Sequence, residues 1–235
     1  MLYVYGIIDG NEIRATVPGG HHRSCVTVHP VGDLAAAVSD TARSDMAATV
    51  ENVWCHDRVL DALMERHAVL PMRFGIISHR DQLTAALKRR RPALCRALRR
   101  VSGKVEIAVR MFSKLPERTA PIRPPCSGEK GPSSGTAYLR SRMANRRRTT
   151  QLCERSRAAV VSLLARLEAL SAEALWDREG VPMLPFEASF LVARKAVPEF
   201  VDTAEALALH HRDIAVSCTG PWAPYSFTTD VGMGP

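Results

Sequence analysis

The sequence lacks any apolar run long enough to cross a membrane. Its longest uninterrupted apolar stretches, such as residues 34–38, are far shorter than the roughly 20 residues that a transmembrane helix needs. The chain also opens with Met1-Leu2-Tyr3-Val4 and not with the basic leader that is typical of a signal peptide. We therefore expect a cytoplasmic protein, with no membrane span and no secretion.

Metal-binding cysteine patterns are missing as well. None of the six cysteines forms a C-x-x-C pair, and no paired histidines flank them at the spacing of a zinc site. We interpret them as free thiols of a cytosolic protein, most of them buried, and we expect no metal and no other cofactor. The cysteines are Cys25, Cys55, Cys95, Cys126, Cys153 and Cys218.

Catalytic signatures are equally scarce. Residues 131–135 match the G-x-S-x-G pattern around Ser133, but prolines surround them and no predicted strand precedes them, as a nucleophile elbow requires. Gly103-Lys104 lacks the upstream glycine and the following hydroxyl residue of a phosphate-binding loop. His56 and His67 fall on one face of a predicted helix, where a structural role is favoured over metal binding. The sequence predicts a protein that is not an enzyme.

Positive charge is abundant, whereas aromatic residues are few. The net charge is +8, five of the 32 basic residues are lysines, and aromatic residues make up 6% of the chain. Arginines on helix faces leave open an RNA-binding ferredoxin-like module. No predicted strand carries the aromatic motif that stacks on RNA bases, so nucleic acid is the less favoured partner. The basic clusters are Lys88–Arg91; Arg96, Arg99 and Arg100; and Arg140, Arg142 and Arg146–Arg148.

Hydrophobic periodicity predicts strands and helices on both sides of a Pro/Gly-rich stretch at 116–135, which we interpret as a linker or a long loop. Pro92 is expected to break or kink the helix that contains it. Before the linker we predict strands at 2–8, 25–29, 34–39 and 104–112, an extended segment at 69–77, and helices around 53–67 and 81–100. After it we predict a long helix at 136–175, a strand at 186–193, a helix at 197–211 and a strand at 213–219.

Two segments carry a resemblance to a known family. Residues 69–75 read V-L-P-M-R-F-G, and residues 220–227 read G-P-W-A-P-Y-S-F. Together they resemble the gas vesicle protein F/L family (GvpF/GvpL), in the right order and over nearly the whole chain. The chain departs from the family pattern at Ile76, where threonine is common, and at Ala223, where proline is usual. Supporting matches are Leu2–Gly6, Gly135–Leu139 and Ser189–Val192.

The resemblance implies an α+β fold of two domains. These would be an N-terminal ferredoxin-like βαβ sheet-and-helix domain at 1–115 and, after the linker at 116–135, a C-terminal domain at 136–235. The second domain would combine long helices with a small sheet and end in an aromatic tail.

The resemblance also implies a function that is not catalytic. It indicates a minor structural component or assembly factor that acts through protein–protein contacts in the formation of gas vesicles, the gas-filled protein shells that give buoyancy. The implied partners are other gas vesicle proteins, including the small hydrophobic shell protein. The implied location is the cytoplasm, in association with gas vesicles.

Five residues are candidates for structural or partner contacts: Arg73, Phe74, Trp222, Tyr225 and Phe227. Arg73 lies between apolar residues, and an unpaired buried charge costs several kcal/mol. We therefore favour an ion pair or hydrogen bonds to backbone carbonyls over a partner contact. Prolines stiffen the C-terminal segment, and we expect it to act as a clasp that buries Trp222, Tyr225 and Phe227 across the domain junction. The alternative is a binding tip that exposes Trp222 to a partner.

Overall fold

The computed structural model describes residues 1–10, 12–13, 17, 19–42, 45–114, 157–176, 185–211 and 214–228. These residues form a mixed α/β fold with two antiparallel sheets and four α-helices. Within these ranges, no helix is both long enough and apolar enough to span a membrane.

The first sheet is built around the N-terminal strand. Its order is β2-β3-β1-β4, and β5 also pairs with β1. Alternate residues of β1 enter two different buried clusters, one packed against each face of the sheet. This explains why the strand is apolar on both faces. The strands are β1 (Leu2–Asp9), β2 (Thr27–Val31), β3 (Leu34–Asp40), β4 (Val69–Pro71) and β5 (Ile77–Ser78).

Two helices cover the opposite faces of this sheet. Helix α1 (Val50–Met64) begins after Thr49, whose hydroxyl accepts a hydrogen bond from the backbone N–H of Asn52 at 3.3 Å. Helix α2 (Arg80–Val101) runs through Pro92 without interruption, so of the two predicted effects, a break or a kink, the break is wrong. The buried leucine face of α2 packs into the core and outweighs the local cost of about 3 kcal/mol for proline.

The second sheet has the strand order β7-β8-β6-β9, and each neighbouring pair is antiparallel. Helix α3, described from residue 157 to residue 169, and helix α4 (Val197–His210) contribute to its buried core. In that core the rings of Phe190 and Phe200 lie 5.2 Å apart. The strands are β6 (Lys104–Ser113), β7 (Glu173–Leu175), β8 (Phe186–Ala193) and β9 (Ile214–Trp222).

The order of elements differs from the expected N-terminal ferredoxin-like arrangement. A hairpin follows β1 where a β-α-β unit would have a helix. The β-α-β-β-α-β order of ferredoxin-like motifs is instead that of the described elements β6-α3-β7-β8-α4-β9. We placed strand β6 in the N-terminal domain, but it pairs with β8 and β9 of the second sheet. Its alternate residues Val105, Ile107 and Val109 are buried in the same cluster as the helices of that sheet, which explains the pairing.

The second half also departs from the predicted helix at 136–175. Residues 173–175 form strand β7, so the helix ends before them. Val160, Leu163 and Leu167 are buried at the predicted helical spacing. The part of this prediction before residue 157 lies outside the described residues.

Polar contacts join the two sheets. Nε of Arg100, in the last turn of α2, donates to Oε1 of Glu173 in β7 at 2.7 Å, and Nη2 donates to Oε2 of the same carboxylate. Nη2 of Arg194 donates to the carbonyl of Met64 at the end of α1, at 3.0 Å. Both guanidinium groups therefore connect an element of one sheet to a helix of the other.

Candidate partner-contact site

The L-P-M-R-F-G segment is anchored to the first sheet by its backbone. The N–H of Met72 donates to the carbonyl of Tyr5 at 2.9 Å, and the carbonyl of Met72 accepts from Nε2 of His56 at 3.0 Å. The N–H of Gly75 donates to the hydroxyl of Tyr3 at 3.2 Å. Gly75 has a φ of +90°, which favours glycine at this position. The motif is therefore a turn that hydrogen bonds fix to β1 and α1.

These contacts define the protonation of His56. Nε2 faces a carbonyl, which can only accept, so Nε2 carries the proton and Nδ1 accepts from the Tyr3 hydroxyl at 2.8 Å. Burial lowers the pKa of His56 to about 4, so the ring is neutral near pH 7. Both nitrogens serve the fold, as the sequence predicted for this histidine. Within the described ranges, no group of three or more His, Cys, Asp or Glu side chains could hold a metal ion.

Arg73 and Phe74 leave this turn in different directions. The Phe74 ring lies 6.2 Å from that of Tyr3 and 6.0 Å from that of His56, so it belongs to the buried aromatic cluster. Arg73 is exposed, and among the described residues it forms neither the expected ion pair nor a hydrogen bond to a carbonyl. The anchored turn presents the guanidinium outward instead.

The C-terminal segment continues the second sheet further than predicted. Strand β9 includes Gly220 and Pro221, although the predicted strand ended at residue 219, and a register shift opposite residues 106–108 accommodates them. Gly220 has a φ of +130°, and a Cβ atom there would lie 2.7 Å from the carbonyl oxygen of Glu106. Only glycine fits this close approach of two backbones.

Beyond β9 the chain packs between the two sheets. The N–H of Ser226 donates to Oε2 of Glu106 at 2.9 Å, and its hydroxyl donates to Oε1 at 2.5 Å. The carbonyl of Phe227 accepts from Nη1 of Arg100 at 3.3 Å, and the Phe227 side chain is 1% exposed. Ala223 joins the buried cluster beneath α1. This end of the chain has the contacts expected of a clasp.

One of the three aromatic residues of the predicted clasp is not buried. Trp222 is 47% exposed, so its predicted burial is wrong. Side chains alternate along an extended strand, and at this position the indole points away from the core that receives Ala223. Tyr225 is half-buried and packs against the cluster beneath α1. Phe227 and Ala223 are the buried side chains, and Trp222 forms the outer edge.

A small cavity lies between α1 and this segment. Its volume is about 230 Å³. The residues that line it are Asp57, Leu60, Asp61, Trp222, Ala223 and Tyr225. Burial raises the pKa of Asp57, and the nearby charge of Asp61 raises it further. Burial also raises the pKa of Asp61, while the Arg194 guanidinium opposes that shift. The cavity therefore combines apolar walls with two carboxylates that are harder to ionise than usual.

Two apolar residues on the polar side of α1 were a signal in the sequence for this surface. Val50 and Trp54 are 73% and 66% exposed, although both are large apolar residues of an amphipathic helix. Asp57 and Asp61 continue the same side of α1. Apolar residues on the polar side of a helix were visible in the sequence, but the proximity of Trp222 was not.

Two of the three basic clusters contain arginines that are paired with acidic residues of this chain. In the first cluster, Nε of Arg91 donates to Asp33 at 2.8 Å, and Arg100 of the second pairs with Glu173. The third cluster, Arg140 to Arg148, and the hydrolase-like Ser133 lie outside the described residues. Of the six cysteines, Cys25, Cys55, Cys95 and Cys218 are free thiols, and the other two are not among the described residues. Their burial is lower than expected, since Cys25 is exposed and the other three are intermediate.

The chain is similar to gas vesicle proteins by sequence. Residues 1–229 match the family model described as gas vesicle synthesis protein GvpL/GvpF. Gas vesicle protein F2 of Halobacterium salinarum is 30% identical over an alignment that covers 99% of this chain and 94% of that protein.

Solved structures show the same fold. The crystal structure of the gas vesicle protein GvpF from Microcystis aeruginosa matches with a TM-score of 0.72 and 20% identity, over 97% of this chain and 98% of that one. The structure of GvpF from an Anabaena species also gives a TM-score of 0.72, with 18% identity over 97% and 95% of the two chains.

Proposed function

Because the chain belongs to the gas vesicle synthesis protein GvpL/GvpF family, we propose that it acts as a minor structural component or assembly factor of gas vesicles. Membership of the family supports a role in gas vesicle formation. The proposed action is contact with other vesicle proteins, including the small hydrophobic shell protein, in the cytoplasm and without a chemical reaction.

The observation that carries a contact function is the exposed aromatic surface beside the cavity. Trp54 on α1 and Trp222 at the end of β9 expose large rings on rigid elements, whereas most apolar side chains of the described residues are buried. Tryptophan side chains held in place this way lose little entropy on binding, and they are typical anchors of protein interfaces. Exposed Arg73 supplies a further candidate contact on the anchored turn.

We also propose a division of the chain into two domains. The first sheet with α1 and α2 would form one domain, and the second sheet with α3 and α4 would form a ferredoxin-like domain. Two buried clusters pack against the faces of the first sheet, and a third cluster packs between the second sheet and its helices, which supports this division. The boundary would then lie at Ser102–Gly103, before β6, and not after residue 115.

The RNA-binding alternative loses support in this arrangement. In a ferredoxin-like RNA-binding module, aromatic residues on the central strands stack on the bases. The face of β6 that points away from the helices carries Glu106, Ala108 and Arg110 in its centre, and Arg110 forms an ion pair with Glu187 at 3.2 Å. Among the described residues these central positions of β6 carry no ring, and the exposed rings of this face lie at its margins, Phe112 at the end of β6 and Trp222 at the end of β9.

A genetic test addresses the proposed function. The gene would be deleted from a vesicle-forming host and restored on a plasmid, and vesicle yield and shape would be measured by electron microscopy. We expect deletion to impair vesicle formation and the intact gene to restore it. Normal vesicles in the deletion strain would contradict the proposal, and loss of function in Ser133→Ala would revive a hydrolase activity.

Surface variants sharpen this test. We expect Trp54→Ala and Trp222→Ala to reduce vesicle yield while the protein stays folded and abundant, because each removes an exposed anchor. Leu209→Ala is the matched control, since Leu209 is also a large apolar side chain and is 82% exposed on α4. Equal yields from all three variants would contradict a contact at α1 and β9.

A further inference from the structure

The exposed side of α1 leads directly into the acidic cavity. Val50, Trp54, Asp57 and Asp61 follow one another at steps of four, three and four residues, which places them along one side of the helix. The aspartates line the cavity, and Trp222 forms its opposite edge. An apolar strip and a negatively charged cavity are therefore continuous on one surface.

We propose that this surface docks a segment of another vesicle protein, which inserts one arginine side chain between the two aspartates and Trp222. The inference rests on the proposed function, because it specifies the chemistry of the contact through which the protein would act. Apolar residues that flank the arginine would cover Val50 and Trp54.

The size and walls of the cavity suit a single long side chain. Its volume of about 230 Å³ is below the roughly 300–1,000 Å³ of typical small-molecule sites. Leu60 and Ala223 offer apolar contact for an aliphatic stem. A cation over the face of an indole is attracted by the ring, and arginine is the cation found most often in such contacts. These features favour a side chain over a free ligand.

The charge of the cavity favours a cation that comes from outside. Two carboxylates line it, and the nearby guanidinium of this chain, that of Arg194, already donates Nη2 to the carbonyl of Met64 at 3.0 Å. Both aspartates are harder to ionise than usual, with burial as the main cause, and an added cation would relieve that penalty. Arginine suits the site better than lysine because its planar fork matches carboxylates and is less strongly hydrated.

Judged by the arginines among the described residues, a second copy of this chain is a poorer occupant. The arginines of α2, such as Arg89 and Arg90, have charged neighbours and lie on a polar face. Arg73 follows the buried Met72 and precedes the half-buried Phe74, so it has no free apolar neighbour to cover Val50 and Trp54. A separate partner that carries arginine between exposed apolar residues fits the surface better.

The test uses the full chain and a pair of peptides. The probes are acetyl-Gly-Leu-Arg-Leu-Gly-amide and its twin with citrulline, which has the same shape without the charge. Nuclear magnetic resonance resolves the indole N–H signals of the three tryptophans. We expect the arginine peptide to shift the Trp222 signal in a saturable way, with the citrulline peptide binding about five- to tenfold more weakly. The Trp176 indole donates to Glu168 at 2.8 Å, and its signal should stay in place.

Variants assign the preference to the cavity. Asp57→Asn with Asp61→Asn should abolish the difference between the two peptides, whereas Glu51→Gln, on the same helix outside the cavity, should keep it. If the double variant does not fold, Trp222→Ala replaces it, with Trp54 as the reporter, and should weaken binding of the arginine peptide. Equal binding of both peptides, an unmoved Trp222 signal, or a preference that survives these variants would overturn the inference.

Two outcomes separate this inference from related ideas. Self-association of the unmodified chain in sedimentation, lost in the double asparagine variant, would assign the surface to a second copy and overturn the proposed partner. Peptide binding by a chain that is dispensable for vesicles would contradict the proposed function and leave the arginine site standing. Restoration of vesicles by a chain that shows no preference for the arginine peptide would support the proposed function and contradict the arginine site.

Discussion

Phe227→Ala is the perturbation that most directly tests how the C-terminal segment holds the two sheets together. The Phe227 side chain is 1% exposed, and the backbone carbonyl of Phe227 accepts a hydrogen bond from Arg100 of α2. Burial of about 150–250 Å² at 25 cal/mol per Å² gives about 4–6 kcal/mol, and measured Phe→Ala changes in cores cost about 3–5 kcal/mol. We therefore expect the free energy of unfolding to fall by about 4 kcal/mol.

Urea unfolding measures this change. Circular dichroism reports on the whole chain and tryptophan fluorescence on local packing, and coincident curves would justify a two-state treatment. In a thermal scan the same loss corresponds to a melting temperature lower by about 8–16 °C. The matched control is Trp222→Ala, which should cost about 2–3 kcal/mol because nearly half of that side chain stays in water. A Phe227→Ala midpoint equal to or above that of Trp222→Ala would refute the assignment of the clasp to Phe227.

Three further predictions concern the anchored turn and the close backbone contact. Tyr3→Phe removes the hydroxyl that bonds His56 and Gly75, and we expect a loss of about 1–3 kcal/mol in urea unfolding; an unchanged midpoint would contradict the network. The pKa of His56 is about 4 in the folded chain and about 6.5 in the unfolded chain. The unfolded chain therefore binds the proton more readily, so the stability that neutral His56 contributes is fully present above pH 6.5 and is lost as the pH falls toward 4. We expect about 3 kcal/mol of pH-dependent stability over that window, and His56→Gln should remove this part of the pH profile. Gly220→Ala should cost more than 1 kcal/mol in a melting curve, because its Cβ would lie 2.7 Å from the Glu106 carbonyl, and a neutral effect would contradict the φ of +130°.

Local patterns were sufficient to identify most elements of the described residues. The alternation in β6, the leucine face of α2 and the apolar run of β1 each predicted an element within a few residues of its observed bounds. The two distinctive segments at 69–75 and 220–227 predicted the family, and the match of residues 1–229 to the family model confirms it. These features lie in short stretches of sequence, where backbone geometry and side-chain period leave few alternatives.

The tertiary structure decided which elements pair and which side chains are exposed. The sequence pattern of β6 is the same whether it joins the first sheet or the second, and long-range pairing with β8 and β9 settled the matter. The pattern of the C-terminal segment predicted burial of its three aromatic residues together, and the direction of the chain beyond β9 buried Phe227 and left Trp222 exposed. The cavity between Asp57 and Trp222 exists only because packing brings α1 against the end of β9. Strand partners and cavities depend on contacts between distant residues, and the local period of a sequence carries no information about them.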